Sequence, residues 1–279
     1  MAAETLQILC PENLPDLFAV WAKAPSAFPF AGGTTFLGFQ GTRKPYLPSA
    51  VISLAAIADL QKISRTERYI EIGAMVTLNS ILNLRKIVPE ILTAAIEGIG
   101  AHQLRNLATI GGNICNQAME MDITAAMLAL DASYELRSAE GSRWVQAARF
   151  SLSSGSVPLA PQELLTRIRV PLQQWDYTRY QKFGCGTEDA PYGNAVFIMQ
   201  NQKRTLNELR IVYSGALNLR DKNSEAILEG RQLPLDKKDV RTFMDHWTSY
   251  LEQVQGLGAF PKTKLINFVE SNLLSFADY

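Results

Sequence analysis

Two glycine pairs in the first half of the chain place the strongest constraint on what it can fold into. In FPFAGGTTFLGF, Gly32 and Gly33 follow a short apolar run and precede a segment that reads as a helical turn. In RNLATIGGN, Thr109, Ile110, Gly111, Gly112 and Asn113 form a second small, hydrogen-bonding loop. Glycines between a strand and a helical turn let backbone N–H groups approach an anion closely, and the helix dipole adds roughly 0.3–1 kcal/mol to its hydrogen bonds. The hydroxyls of Thr34 and Thr35 supply further donors. Taken singly, each loop is equally a tight turn. Taken together, two such loops can grip one dinucleotide from both sides, the first on the pyrophosphate and the second nearer the ring system. A Rossmann or P-loop site is disfavoured, because the chain has no GxGxxG, GIGAHQ carrying Gln103 at the third glycine position, and no GxxxxGK[ST].

Around these loops the pattern is mixed α and β. Residues Leu6 to Leu9 and Phe28 to Ala31 read as strands flanking a helix from Glu12 to Ala24, a βαβ-like beginning. Further strands are predicted at Val51 to Leu54, Tyr69 to Gly73 and Tyr134 to Arg137. Thr77 is placed to cap a short helix, Pro89 to Ile99 reads as another, and a helix from Asp122 to Ala132 opens on an acid that suits its N-terminus. Pro171 closes a strand in ELLTRIRVP, and the polar run after it marks a domain junction, giving domains 1–172 and 173–279. Beyond it, antiparallel strands are expected at Tyr177 to Phe183, Asn194 to Gln200 and Leu209 to Ser214, then helices at Val240 to Val254 and Lys262 to Leu274.

A chain of 279 residues is long for one core, since single cores tend to stop growing near about 250–300 residues, which also favours two units. Basic and acidic residues both number 27, so there is no field to attract nucleic acid or anionic lipid. No stretch approaches the roughly 18 apolar residues of a membrane span. Cys10, Cys115 and Cys185 are too few and too dispersed for a zinc site or an iron–sulfur cluster, and their odd number fits reduced thiols in a cytoplasm. Any cluster feeding electrons to this chain would belong to a partner.

Six segments in order, AGGTT, IEIGAMVTLNSI, AHQLRNLATIGGNICN, AMLALDA, ELLTRIRVP and YQKF, resemble the FAD-binding (medium) subunit of the molybdenum hydroxylases, the family of xanthine dehydrogenase and carbon monoxide dehydrogenase. The resemblance covers about Phe28 to Phe183 well and the remainder loosely. It implies an α+β chain: a PCMH-type, or vanillyl-alcohol-oxidase-type, FAD-binding fold with two subdomains, followed by a C-terminal α+β domain like that of carbon monoxide dehydrogenase flavoproteins. It implies FAD as cofactor, with Pro29, Phe30, Ala31, Gly32, Gly33, Thr34, Thr35 and Phe36 cradling the pyrophosphate. Thr109, Ile110, Gly111, Gly112 and Asn113 would hold the flavin end, with Ile99 nearby and Cys115 and Asn116 close to the ring. Asp122 would accept from a ribityl or ribose hydroxyl, and Leu165 and Lys182 would lie against the isoalloxazine. The run after Lys182, GCGTEDAPYGNAVF, departs from the family's arginine-rich turn, and the family's occasional four-cysteine insertion is absent.

The implied work is electron transfer. A molybdopterin-binding large subunit hydroxylates a substrate, [2Fe-2S] clusters of a small subunit carry the electrons, and FAD here passes them to NAD+ or another acceptor. Two other readings stay open: a free-standing FAD oxidoreductase of the same fold, and a scaffold subunit that has lost FAD. No residue is assigned as a catalytic acid, base or metal ligand. His102 and His246 read as structural, Cys115 either borders the flavin or is a small buried residue, and Lys182 either faces the flavin or is a solvated strand residue.

Overall fold

The computed structural model describes residues 6–38, 48–116, 122–150, 159–184 and 193–277. The first unit is a parallel three-stranded sheet built from β1 (Gln7–Leu9), α1 (Leu14–Lys23), β2 (Phe28–Phe30), α2 (Thr34–Gly38) and β3 (Ala50–Ser53), with β3 in the middle. Asn13 caps α1 by accepting from the Asp16 amide. Leu14, Leu17, Phe18 and Trp21 recur at helical spacing and are buried against Ile52, Leu54, Ile57 and Leu60.

The second unit contains β4 (Ile63–Arg65), β5 (Tyr69–Gly73), the helices α3 (Leu78–Asn83), α4 (Glu90–Glu97), α5 (His102–Leu107), α6 (Ile110–Cys115) and α7 (Thr124–Ala129), then β6 (Ser133–Arg137), β7 (Ser142–Gln146), α8 (Ala147–Phe150) and β8 (Leu164–Pro171). Its strands form an antiparallel sheet in the order β4-β5-β8-β6-β7. On β8, Ile168 and Val170 are buried in the core while Arg167 and Arg169 stand on the other face. There Arg169 lies between the rings of Tyr69 and Trp144, 4.4 and 4.1 Å from their centroids, and Arg167 forks onto Glu135 at 2.7 and 2.8 Å.

The C-terminal part comprises β9 (Tyr177–Phe183), β10 (Gly193–Gln202), β11 (Thr205–Gly215), β12 (Asn218–Leu219), α9 (Lys222–Leu228), α10 (Lys237–Gln253) and α11 (Ala259–Leu274). The sheet order is β12-β11-β10-β9, all antiparallel. Both of its faces contribute buried residues to a core. Along β10 the two-residue alternation sends Ala195, Phe197 and Met199 into a core with α10 and α11, and Val196 and Ile198 into the core of the second unit. Polar ties reinforce that contact: Arg210 donates to the Ala129 carbonyl at 2.5 Å and pairs with Asp131 at 2.9 Å, and Arg220 reaches the same carboxylate at 3.0 Å.

The structure differs from expectation at two places near the glycine loops. The TIGGN segment is the start of α6 rather than a flexible loop. Thr109 caps it by accepting from the Gly112 amide, and Gly111 lies so close to Ala74 that a Cβ there would be 2.6 Å from the alanine methyl. The helix predicted from Asp122 is shorter, Thr124–Ala129, and the Asp122 carboxylate is turned away from it to the Lys182 ammonium at 2.7 Å.

Candidate functional site

The two glycine segments face each other across a cavity of about 510 Å³, within the range of small-molecule and cofactor sites. One wall runs from Phe28 to Phe36; the other is Ala108, Thr109, Gly112, Asn113, Cys115 and Asn116. The walls nearly touch at one end, where a Cβ on Gly112 would lie 3.8 Å from that of Ala31. Glycine is required on the first wall. Gly33 adopts φ 68° beneath the Phe30 ring, and a Cβ on Gly32 would collide with the Leu107 carbonyl oxygen. Phe36 stacks on Phe28 and meets Phe30 edge-on, with centroids 6.0 and 6.1 Å apart, so apolar rings border the glycine turn.

The walls differ in what they offer. In α6 the first amides are committed: Ile110 donates to the Val76 carbonyl at 3.0 Å, Gly111 to Ala74 at 2.9 Å, and Gly112 to Thr109 Oγ1 at 3.1 Å. That wall presents side chains instead. Among the described residues, Asn113 Oδ1 is buried without a donor, the kind of orphaned acceptor that a bound hydroxyl or N–H would satisfy. On the first wall no protein carbonyl among the described residues takes the amides of Gly32 and Gly33, which lead into α2. Donors on one wall and an acceptor on the other suit a ligand with an anionic middle and a hydrogen-bonding end.

Cys115 shows part of its surface to the cavity, yet the protein packs so densely around its thiol that burial pushes the pKa up to about 12, leaving it protonated and unreactive. Six predicted residues do not line this cavity: Ile99, Ile110 and Leu165 belong to the second unit's core, Gly111 is pressed against Ala74, and Asp122 and Lys182 lie outside it. Asp122 and Lys182 form a pair of their own, joined by Tyr180 and Asn194, which the sequence did not single out. Also unforeseen is Arg105, whose Nη1 draws together the carbonyls of Ile99 and Gly100 at 2.9 and 2.7 Å and so fixes α5 beside the second wall. His102 is exposed on α5, and His246 bonds to Ser224, which itself donates to Asp221; neither histidine faces the cavity. Cys185 lies outside the described residues. No grouping of metal ligands occurs among the described residues, and no helix among them is long and apolar enough to cross a membrane.

Residues 4–173 match the family model described as the FAD binding domain in molybdopterin dehydrogenase. The chain belongs to this family. Among similar proteins, the nicotine 6-hydroxylase medium subunit of Paenarthrobacter nicotinovorans is 22% identical over 263 residues, covering 92% of each chain. The carbon monoxide dehydrogenase medium chain of Afipia carboxidovorans is 33% identical over 166 residues, covering 58% of this chain and 57% of its own. The solved carbon monoxide dehydrogenase from Hydrogenophaga pseudoflava superposes with a TM-score of 0.81 at 25% identity, over 99% of this chain and 98% of that one. The PCMH-type FAD-binding fold expected from the sequence is therefore the fold present, and FAD is the cofactor of the family. The residues present are compatible with such a group: a Cβ on Gly32 or Gly33 of one wall would collide with its neighbours, and Asn113 Oδ1 on the other is an acceptor without a donor among the described residues.

Proposed function

We propose that this chain is the FAD-bearing electron-transfer subunit of a molybdenum hydroxylase complex, taking electrons from [2Fe-2S] clusters of a small subunit and giving them to NAD+ or another acceptor. A molybdopterin-binding large subunit completes the assembly. The observation that carries the reading is the single cavity walled by both glycine segments. Its residues divide into an amide-bearing cradle, from Pro29 to Phe36, and a side-chain wall of Thr109, Asn113 and Asn116. In this reading Asp122 and Lys182, which pair with each other outside that cavity, border the flavin from the side of the C-terminal sheet.

When bound there, FAD supplies the redox chemistry through its isoalloxazine, and the protein supplies binding, orientation and electrostatics. The Gly32 and Gly33 amides hold the anionic phosphates by hydrogen bonds to backbone. Phe28, Phe30 and Phe36 shield that contact from water, which strengthens it. The Lys182 ammonium is the positive charge available to favour an electron-rich flavin. Cys115, kept as a thiol by burial, stays out of the chemistry. Among the described residues that line the cavity none is a carboxylate, histidine or lysine that could serve a carbon substrate as acid or base, which favours an electron relay over a free-standing oxidoreductase.

In the same proposal residues 1–172 form the FAD-binding unit and 173–279 the flavoprotein C-terminal unit. The setting is the cytoplasm, in keeping with three dispersed cysteines. The decisive experiment is a visible absorption spectrum of the purified chain with and without added FAD, followed by mass spectrometry of the released chromophore. Flavin bands from intact FAD support the proposal. A colourless chain that ignores FAD even with molybdenum and iron–sulfur partners present would leave the scaffold reading in its place.

A further inference from the structure

Four polar side chains meet where the C-terminal sheet closes on the turn before α7. In the β9–β10 pairing Lys182 stands directly opposite Asn194, and Tyr180 opposite Val196. Directly opposed residues share a face, and so do residues two apart on one strand. Tyr180, Lys182 and Asn194 therefore share the face that carries Val196 into the second unit's core. Asp122 arrives from the other side. Its Oδ1 lies 2.7 Å from Lys182 Nζ and 3.4 Å from the Tyr180 hydroxyl, and that hydroxyl lies 2.7 Å from Asn194 Oδ1.

The donors and acceptors of this group do not close as drawn. Asn194 is completely buried, and among the described residues its Nδ2 has no acceptor. Tyr180 has one proton and three candidate acceptor atoms, Asn194 Oδ1 and, on Asp122, the backbone carbonyl at 3.3 Å and the carboxylate at 3.4 Å. The oxygen and nitrogen of an amide are interchanged by a half-turn of the side chain. With that half-turn, Asn194 Nδ2 donates to the tyrosine oxygen, and the tyrosine hydroxyl donates its hydrogen bond to Asp122. A buried donor without a partner is the more costly omission, so the second arrangement is favoured.

We infer that Asn194, Tyr180 and Asp122 form a directed chain of hydrogen bonds that holds the Lys182 ammonium at the FAD site, with Tyr180 and Asn194 as positioning residues. The inference rests on the FAD reading above, in which Asp122 and Lys182 border the flavin. In this chain Asp122 receives donors from both sides, Tyr180 and Lys182. Burial, then the neighbouring Asp122 carboxylate, pushes the Tyr180 hydroxyl far above the ordinary tyrosine range, so its proton is retained at every physiological pH. The tie also joins the C-terminal sheet to the FAD-binding unit, which couples the placement of the charge to the packing of the two units.

The test uses the purified full chain and its variants Tyr180→Phe, Lys182→Met and the double variant, read by flavin-fluorescence titration and by the flavin midpoint potential. Tyr180→Phe keeps the ring and its packing. It is expected to weaken FAD binding about tenfold, as loss of one charge-assisted hydrogen bond does, and to lower the potential by releasing the ammonium. Lys182→Met is expected to change both in the same direction, and the double variant to be no worse than Lys182→Met. Asn194→Leu breaks the chain at its other end and is expected to reproduce the Tyr180→Phe values, so a poorly folding single variant does not decide the matter. Wild-type affinity and potential in Tyr180→Phe overturn the inference. So does an undiminished Tyr180→Phe effect in the Lys182→Met background, which would mark simple packing. A wild-type chain that takes up no FAD overturns the FAD reading itself and the positioning role with it.

Discussion

A methyl group on Gly32 would sit 1.9 Å from the Leu107 carbonyl oxygen, and neither backbone can yield without opening the cavity. Gly32→Ala is therefore expected to cost about 1–3 kcal/mol of stability, as overpacking does, and to weaken FAD binding more than tenfold. Thermal melting and fluorescence titration of the same preparation measure both. Asn113 makes the opposite prediction. Its buried Oδ1 has no donor among the described residues, so Asn113→Ala removes an unsatisfied acceptor and is expected to change the stability of the FAD-free protein by less than about 1 kcal/mol. In the complex the acceptor is used, and FAD affinity is expected to fall about five- to tenfold. An Asn113→Ala protein that binds FAD as wild type does would remove this residue from the site.

On the open face of the antiparallel sheet, β6 and β8 are joined by Glu135 with Thr166 and Arg167. Burial works against the Glu135 charge, but the hydrogen bonds from Arg167 and Thr166 outweigh it and hold the carboxyl below its ordinary 4.5. A folded-state pKa below the unfolded one contributes stability that is complete above the unfolded value and disappears as pH falls through the folded value. Because Arg167 is partly exposed, Glu135→Gln is expected to cost only about 1–2 kcal/mol at neutral pH, a gap that narrows below about pH 4. Urea melts at the two pH values check this, and a gap that stays constant refutes the assignment. Strands such as Tyr69–Gly73 and Tyr177–Phe183 were legible to the residue, because alternation and flanking turn residues are local signals. The helix at Ile110 was not, because two glycines argue against a helix and the reason for them, contact with Ala74, lies elsewhere in the chain. Asp122 read as a helix-starting acid for the same reason: its partner Lys182 sits on a strand of the other unit. The cradle was legible as a motif; the tie through Tyr180 and Asn194 was not, since nothing local marks a buried pair.

The β9–β12 sheet bears on whether the FAD-binding unit is independent. Val196, Ile198 and Val212 are completely buried in the second unit's core, although they lie beyond the junction after residue 172. Removing residues 173–279 would expose the surface these three cover. At about 1.5–3 kcal/mol for each large side chain's burial, the loss is roughly 5–9 kcal/mol, comparable with the whole stability of an ordinary domain, about 5–15 kcal/mol. Arg210 and Arg220 would also leave the Ala129 carbonyl and Asp131 without their donors. A chain ending at residue 172 is therefore expected to lack a cooperative thermal transition and to bind a hydrophobic dye, while retaining both glycine segments. Differential scanning calorimetry alongside FAD titration decides the point. If the truncated chain melts cooperatively and binds FAD with the affinity of the full chain, the C-terminal sheet is a separable neighbour. If it does not, the sheet is the missing wall of the FAD-binding unit's core, and a boundary drawn from composition after Pro171 divides one folding unit rather than two.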